Sequence, residues 1–90
     1  MAEHVNYIRI NTASNVTVGG PSSHVALMSV NVCTAAASNV LTINDATSNA
    51  VIATIDASSK GSYWFGGCRI PGGIKVTLST GGADCTVSYV

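Results

Sequence analysis

The sequence predicts an all-β fold, a small antiparallel β-sandwich or jelly roll of about eight short strands. Val, Ile and Thr together supply 27 of the 90 residues, whereas Leu supplies 3. β-Branched side chains lose rotamer freedom in a helix but pack well on a pleated sheet. Four glycine doublets divide the chain into short apolar runs at the spacing typical of a sandwich or barrel. We therefore expect one domain over residues 1–90, with residues 1–12 forming an N-terminal arm or an edge strand.

The first half of the chain contains four predicted strands. Polar and apolar residues alternate over residues 5–10, as in a strand with one buried face. Residues 15–18 and 40–44 each begin within the repeated phrase Ala-Ser-Asn-Val, where Ser and Asn side chains can hydrogen-bond their own backbone at a corner. The long run 24–33 completes this half.

The run 24–33 differs from the others because it is apolar at consecutive positions. Strict alternation places five of its side chains on one face: His24, Ala26, Met28, Val30 and Val32. Val25 and Leu27 begin the other face. A strand that is apolar on both faces is covered on both, by its own chain or by another subunit.

The second half contains four more strands, predicted over residues 51–56, 62–65, 74–79 and 85–89. The first two flank a polar turn, and the doublet Gly66-Gly67 is interpreted as the turn that ends the strand 62–65. The last two alternate cleanly, so we expect their apolar members to point inward: Ile74, Val76, Leu78, Cys85, Val87 and Tyr89.

Charge and hydropathy exclude several classes of partner. Four Lys and Arg balance four Asp and Glu, and the basic residues are scattered, which argues against binding to nucleic acid. No run approaches the roughly 18 apolar residues of a membrane span, and residues 1–10 lack the basic start and apolar core of a signal peptide. We expect no membrane partner.

The residues that could carry chemistry are few. Acid–base catalysis requires titratable groups to meet, and the carboxylates Asp45, Asp56 and Asp84 lie in contexts where a carboxylate usually caps turn amides. The sequence contains no nucleophile motif, phosphate-binding loop or metal-ligand spacing. We therefore expect no enzymatic activity, no small-molecule substrate, and no catalytic, cofactor-binding or metal-binding residues.

The three cysteines, Cys33, Cys68 and Cys85, are separated by 35 and 17 positions. This spacing matches neither a paired disulfide framework nor the close doublets of a zinc site. We predict reduced thiols that act as small buried apolar residues.

The aromatic triplet 63–65 is the most conspicuous local feature. Alternation puts Tyr63 and Phe65 on one face of the strand and Trp64 on the other, so one face fills the core and the other needs an apolar partner. We predict partner contacts at Tyr63 and Trp64, with Arg69 at the rim. The N-terminal residues form the alternative contact: His4, Tyr7 and Arg9.

Five phrases, taken in order, resemble small β-sandwich structural proteins of tailed bacteriophages. They are the strand 24–33 followed by 40–45 (VLTIND), 51–56 (VIATID), 72–79 (GGIKVTLS) and 81–89 (GGADCTVSY). Several such proteins are capsid decoration or cement proteins, and the family has no catalytic positions to carry over. This chain departs from the usual pattern in its three cysteines and in Trp64.

The resemblance implies a non-enzymatic virion structural protein, a capsid decoration or cement protein that binds the outer surface of a phage head. Its partners would be other copies of itself and a capsid or other virion protein, and it would be assembled in the host cytoplasm. The alternative is a small carbohydrate-binding or tail-associated β-sandwich module, with Trp64 and Tyr63 as a platform on which sugar rings stack. Exposure of Trp64 beside Asn or Asp donors would favour the alternative.

Overall fold

The computed structural model of the chain describes residues 6–19 and 25–90, and all regular structure within them is β. The predicted residues His4, Val5 and His24 lie outside this part. Eight antiparallel strands are present: β1 (Asn6–Ile10), β2 (Asn15–Val18), β3 (Val25–Thr34), β4 (Val40–Asp45), β5 (Val51–Asp56), β6 (Gly61–Ile70), β7 (Ile74–Leu78) and β8 (Asp84–Tyr89). The prediction of an all-β fold with about eight strands is confirmed. Within the described part, no helix has the length and apolar character needed to cross a bilayer.

The strands form two four-stranded sheets in the order of a jelly roll. The first sheet has the order β1-β8-β3-β6, and the second has the order β2-β7-β4-β5. The first strand pairs with the eighth, the second with the seventh, the third with the sixth and the fourth with the fifth. This is the pattern of one long hairpin folded over into two layers. Only β4 and β5 are joined as neighbours within a sheet, and every other connection passes from one sheet to the other.

The core lies between the two sheets and follows the predicted alternation. Its fully buried side chains include Leu41 and Ile43 on β4, Ile74 and Val76 on β7, and Val87 on β8. Complete burial of a side chain of this size contributes about 1.5–3 kcal/mol. The sixteen buried hydrophobic residues of the described part are therefore the main source of stability in a chain with so few charges.

The two-sided assignment of β3 is wrong for Val30 and Val32, which share the buried face with Val25 and Leu27. Leu27 and Val30 are both fully buried although they are three positions apart, because the pairing of β3 with β6 and with β8 shifts between Leu27 and Ser29. A β-bulge of this kind adds one residue and reverses the alternation beyond it. The buried set is therefore Val25, Leu27, Val30 and Val32. Beyond the bulge the outer face of β3 is polar at Ser29 and Asn31, and only the half-buried Ala26 and Met28 before it are apolar on that face.

The predicted end of the strand at residue 65 is also wrong, since β6 continues to Ile70. Leu27 pairs with Cys68 and Ser29 pairs with Trp64, so three residues of β6 lie opposite the single residue Met28. Two of the three are Gly66 and Gly67, with φ angles of 67° and 80°. Glycine adopts positive φ without steric cost, and the doublet therefore forms a wide bulge within the strand and not the predicted turn.

The turn between β4 and β5 is organised by the buried carboxylate of Asp45. Its Oδ1 accepts hydrogen bonds from the backbone N–H groups of Thr47 at 2.8 Å and Ser48 at 3.0 Å. These bonds lower the pKa of Asp45 below its ordinary value, because they stabilise the charged form. The predicted capping role is confirmed here, and Asp56 caps in the same way by accepting from the Ser58 N–H at 2.9 Å.

Gly72 joins this turn to the connection between β6 and β7. The Thr47 hydroxyl donates to the Gly72 carbonyl oxygen at 2.8 Å. A Cβ on Gly72 would overlap the Asp45 carboxylate and would lie 2.8 Å from the Cβ of Thr47. Glycine is required here by close approach of the two loops.

We expect Gly72→Ala to lower the free energy of unfolding by about 1–3 kcal/mol, the usual range for overpacking a tight site. Gly81→Ala is the matched control, because the nearest atom to its added Cβ would be 3.8 Å away. Urea unfolding of both variants measures the difference. Equal stability of the two variants would contradict the assigned contact.

Candidate binding surfaces

The carboxylates of the described residues are engaged in local structure. Asp45 and Asp56 cap turns, and Asp84 pairs with Arg9. In residues 6–19 and 25–90, no three His, Cys, Asp or Glu side chains come together as metal ligands would. The features that remain as candidates are exposed apolar side chains.

These exposed side chains fall on two surfaces. Tyr7 is 71% exposed and Trp64 is 72% exposed, and both lie on the outer face of the first sheet. The other three lie on β5 and β6, the edge strands of the two sheets: Val51, Ile52 and Tyr63. The first surface is a sheet face, and the second is an open side of the sandwich.

The strand register aligns Tyr7 and Trp64 across the first sheet. Tyr7 lies opposite Ser88, Ser88 lies opposite Ser29, and Ser29 lies opposite Trp64. We call these four residues the aromatic row. Neighbouring strands are about 4.8 Å apart, so three spacings separate the two aromatic positions by ~14 Å. The row has a large aromatic side chain at each end and two small hydroxyl side chains between them.

A second row of polar residues runs beside the aromatic row. Register places Arg9, Thr86, Asn31 and Ser62 in line across the same four strands. The Ser62 hydroxyl donates to Asn31 Oδ1 at 2.6 Å. This bond holds the Asn31 side chain and leaves its amide NH₂ without a partner among the residues that the structure describes.

An ion pair closes one end of this polar row. Arg9 donates to Asp84 from Nε at 2.9 Å and from Nη2 at 2.7 Å, which is a bidentate arrangement. The hydrogen bond between the two side chains raises the pKa of Arg9 and lowers the pKa of Asp84. The predicted turn-capping role of Asp84 is therefore wrong, because its carboxylate is taken by a side chain from β1. The two charges cancel, and the rows carry no net charge.

We call the two edge strands β5 and β6, with their exposed Val51, Ile52 and Tyr63, the β5–β6 side. A four-residue loop over 57–60 joins the two edge strands, which places their joined ends on one side of the sandwich. Neither edge pairs with a further strand in the described part of the chain. Ile52 is the extra residue of a bulge, since Val51 lies opposite Asn44 and Ala53 lies opposite Ile43.

The predicted contact residues are distributed over both surfaces. The opposite orientation of Tyr63 and Trp64 is confirmed: Tyr63 lies opposite the buried Val30, and Trp64 lies opposite Ser29. Phe65 packs against the core. Arg69 is exposed on β6 beyond the glycine bulge.

The two contact sites that the sequence analysis offered as alternatives, one at Trp64 and one at Tyr7 and Arg9, lie on the same face of the first sheet. Trp64 and Tyr7 lie at opposite ends of one row, and Arg9 lies in the next row. Sequence reasoning missed Ser29, Ser88, Asn31 and Ser62 as members of this face. Strict alternation places Ser29 and Asn31 on the same face as the buried Leu27, so only the bulge and the strand register reveal them.

The expectation that all three cysteine thiols are buried holds for only one of them. None of the three forms a disulfide, and Cys85 is buried as predicted. Cys33 and Cys68 are exposed, so the prediction of burial is wrong for both. Cys33 follows the reversed alternation of β3, and Cys68 lies on an edge strand beside the glycine bulge.

Comparison of the chain with protein-family models, with curated proteins and with solved structures finds no match. The fold and its surfaces therefore carry the functional inference.

We expect iodoacetamide to modify two thiols in the native protein and three after denaturation. Cys85 is shielded, and burial raises the pKa of its thiol, which lowers the fraction present as the reactive thiolate. Intact mass spectrometry counts the additions, and Cys85→Ala is the control that should show two under both conditions. Three rapid additions to the native protein would contradict the burial of Cys85.

We expect Trp64→Ala to change the free energy of unfolding by no more than about 0.5 kcal/mol, as for other exposed positions. Leu41→Ala should lower it by about 2–5 kcal/mol, because Leu41 is fully buried. Thermal unfolding followed by circular dichroism compares the two variants. A large loss of stability in Trp64→Ala would place the indole in the core.

Proposed function

We propose that this chain is a non-enzymatic virion structural protein that decorates the outer surface of a phage head in many copies. The resemblance of five phrases to small tailed-phage proteins supports this role. Jelly rolls serve as viral capsid domains, and they also serve as lectins, so the fold alone does not decide between these functions. The engagement of Asp45, Asp56 and Asp84 in structural contacts supports the non-enzymatic part.

The observation that carries the proposal is the β5–β6 side. Edge strands expose unpaired backbone groups, and proteins usually guard them with Lys, Pro or short length. β5 has six residues with neither Lys nor Pro, and its bulge presents Val51 and Ile52 to solvent at 64% and 38% exposure. A protein partner satisfies both features, since it can cover the apolar side chains and pair with the backbone edge. We assign capsid attachment to this side.

The first experiment asks whether the protein belongs to a particle. We expect it to sediment with purified phage heads in a density gradient, at a fixed number of copies per head measured by mass spectrometry. A protein found only at the top of the gradient, as a free monomer, would contradict the virion role.

A second experiment tests the attachment surface by rebinding purified protein to heads that lack it. We expect Ile52→Lys to reduce rebinding at least tenfold, because it places a charge in the apolar contact. The matched control is Thr17→Lys, an exposed position on β2 at the opposite edge of the same sheet, which should rebind normally. Equal rebinding by both variants would remove the β5–β6 side from the contact without affecting the virion role.

A further inference from the structure

We propose that the outer face of the first sheet binds a neutral polysaccharide chain along the aromatic row. This activity goes beyond attachment to a head and uses a surface other than the β5–β6 side. It depends on the juxtaposition of Tyr7, Ser88, Ser29 and Trp64 in one register across four strands.

The shape of the row suits a chain of sugar rings. Trp64 and Tyr7 are more than two-thirds exposed, so most of each residue's surface is accessible to a ligand. Aromatic rings offer a large apolar face and a polar group at the edge, which matches the C–H face and the hydroxyl rim of a pyranose. Ser29 and Ser88 are small, and a ligand can therefore cross the middle of the row without meeting a bulky side chain.

The length of the row selects an extended ligand. A spacing of ~14 Å between the two aromatic positions exceeds the size of a single sugar ring. Only a chain of several rings can contact Trp64 and Tyr7 at the same time. We therefore expect oligosaccharides and polymers to bind, and monosaccharides to bind too weakly to compete.

The polar groups beside the row match sugar hydroxyls. Ser62 fixes the Asn31 side chain through its 2.6 Å bond to Oδ1, which leaves the amide NH₂ as a donor. The hydroxyls of Ser29 and Ser88 can donate or accept, as sugar hydroxyls can. None of these protein groups carries a charge. A neutral ligand can therefore bind them without removing water from a charged side chain.

The two rows offer an acidic ligand no free cation, and the exposed Arg69 of the same face lies outside both rows, opposite Ala26 and beyond the glycine bulge. Arg9, the one cation in the polar row, is already held in a bidentate pair with Asp84. An anionic chain would meet a cation that is neutralised and a carboxylate that repels it. The face is also a poor match for an apolar protein partner, because hydroxyl and amide side chains separate its two aromatic residues.

Native gel electrophoresis through soluble polysaccharides tests the proposal on the whole chain. The neutral probes are mixed-linkage β-glucan, glucomannan, galactomannan and dextran, and polygalacturonate is the acidic probe. We expect at least one neutral polymer to retard the protein and polygalacturonate to have no effect. Trp64→Ala should weaken the retardation roughly tenfold or more, and Tyr7→Ala should weaken it severalfold. Ile52→Lys changes only the other surface; corrected for its altered mobility in a gel without polymer, it should be retarded as the unsubstituted protein is.

Fluorescence provides an independent readout because Trp64 is the only tryptophan. Oligosaccharides cut from the retarding polymer should shift or quench its emission in a saturable way, and the matching monosaccharide should not compete. Circular dichroism of each variant checks that the fold is retained. No retardation by any neutral polymer, or equal retardation of Trp64→Ala, overturns the proposal. Loss of head rebinding by Trp64→Ala without polysaccharide binding would show that the row is a protein contact, and this also overturns it.

Discussion

The structure depends on pairing between strands from opposite ends of the chain. β1 lies against β8 and β2 lies against β7, so most contacts that close the sheets are distant in sequence. Closing such loops costs chain entropy, which the fold must offset by burial. The apolar faces of both sheets meet in one core, and this core keeps the ends of the chain together. The bidentate bond from Arg9 on β1 to Asp84 on β8 adds a polar contact across the same closure.

The scarcity of charge shapes the rest of the molecule. Its turns are stabilised by side chains that hydrogen-bond to backbone groups close in sequence. The Asn39 side-chain amide, for example, donates to the carbonyl oxygens of Ala36 at 3.2 Å and Ala37 at 3.0 Å. Lys75 is satisfied by the Asn49 side chain at 3.0 Å. Lys60 and Arg69 remain exposed, and no hydrogen bond or ion pair engages either side chain within the described residues. With so few charges, the recognition that we propose rests mainly on shape, apolar contact and neutral hydrogen bonds.

The sequence predicted the parts of the fold that depend on local pattern. Alternation identified the buried faces of β7 and β8 correctly, because each residue's face follows from its neighbours alone. It failed at the bulge after Leu27 and at Gly66 and Gly67, since a bulge exists only relative to a partner strand. A glycine doublet with positive φ fits a turn and a bulge equally well, and the pairing with β3 decides between them.

The sequence predicted only part of the candidate site, because the pairing of distant strands cannot be derived from local pattern. Trp64 and Tyr7 were each identified, but as alternatives, because 57 positions separate them. Their relation is set by register across four strands, and the serines between them become meaningful only in that register.

The jelly roll places the β5–β6 side and the aromatic row on different parts of the molecule. The β5–β6 side lies at the rim of the sandwich, where strand edges are free, whereas the aromatic row lies on the broad face of one sheet. A partner that covers the rim leaves the middle of that face open, because the row extends over β8 and β3 to β1, the far edge of the sheet. In the role that we propose, a particle holds the protein through its rim, and the two rows on the broad face remain available to a second ligand. Mutations of Tyr7 and of Ile52 should have independent effects, since β3, β8 and the edge strand β6 lie between Tyr7 and the second sheet's edge, whereas Trp64 shares β6 with Tyr63.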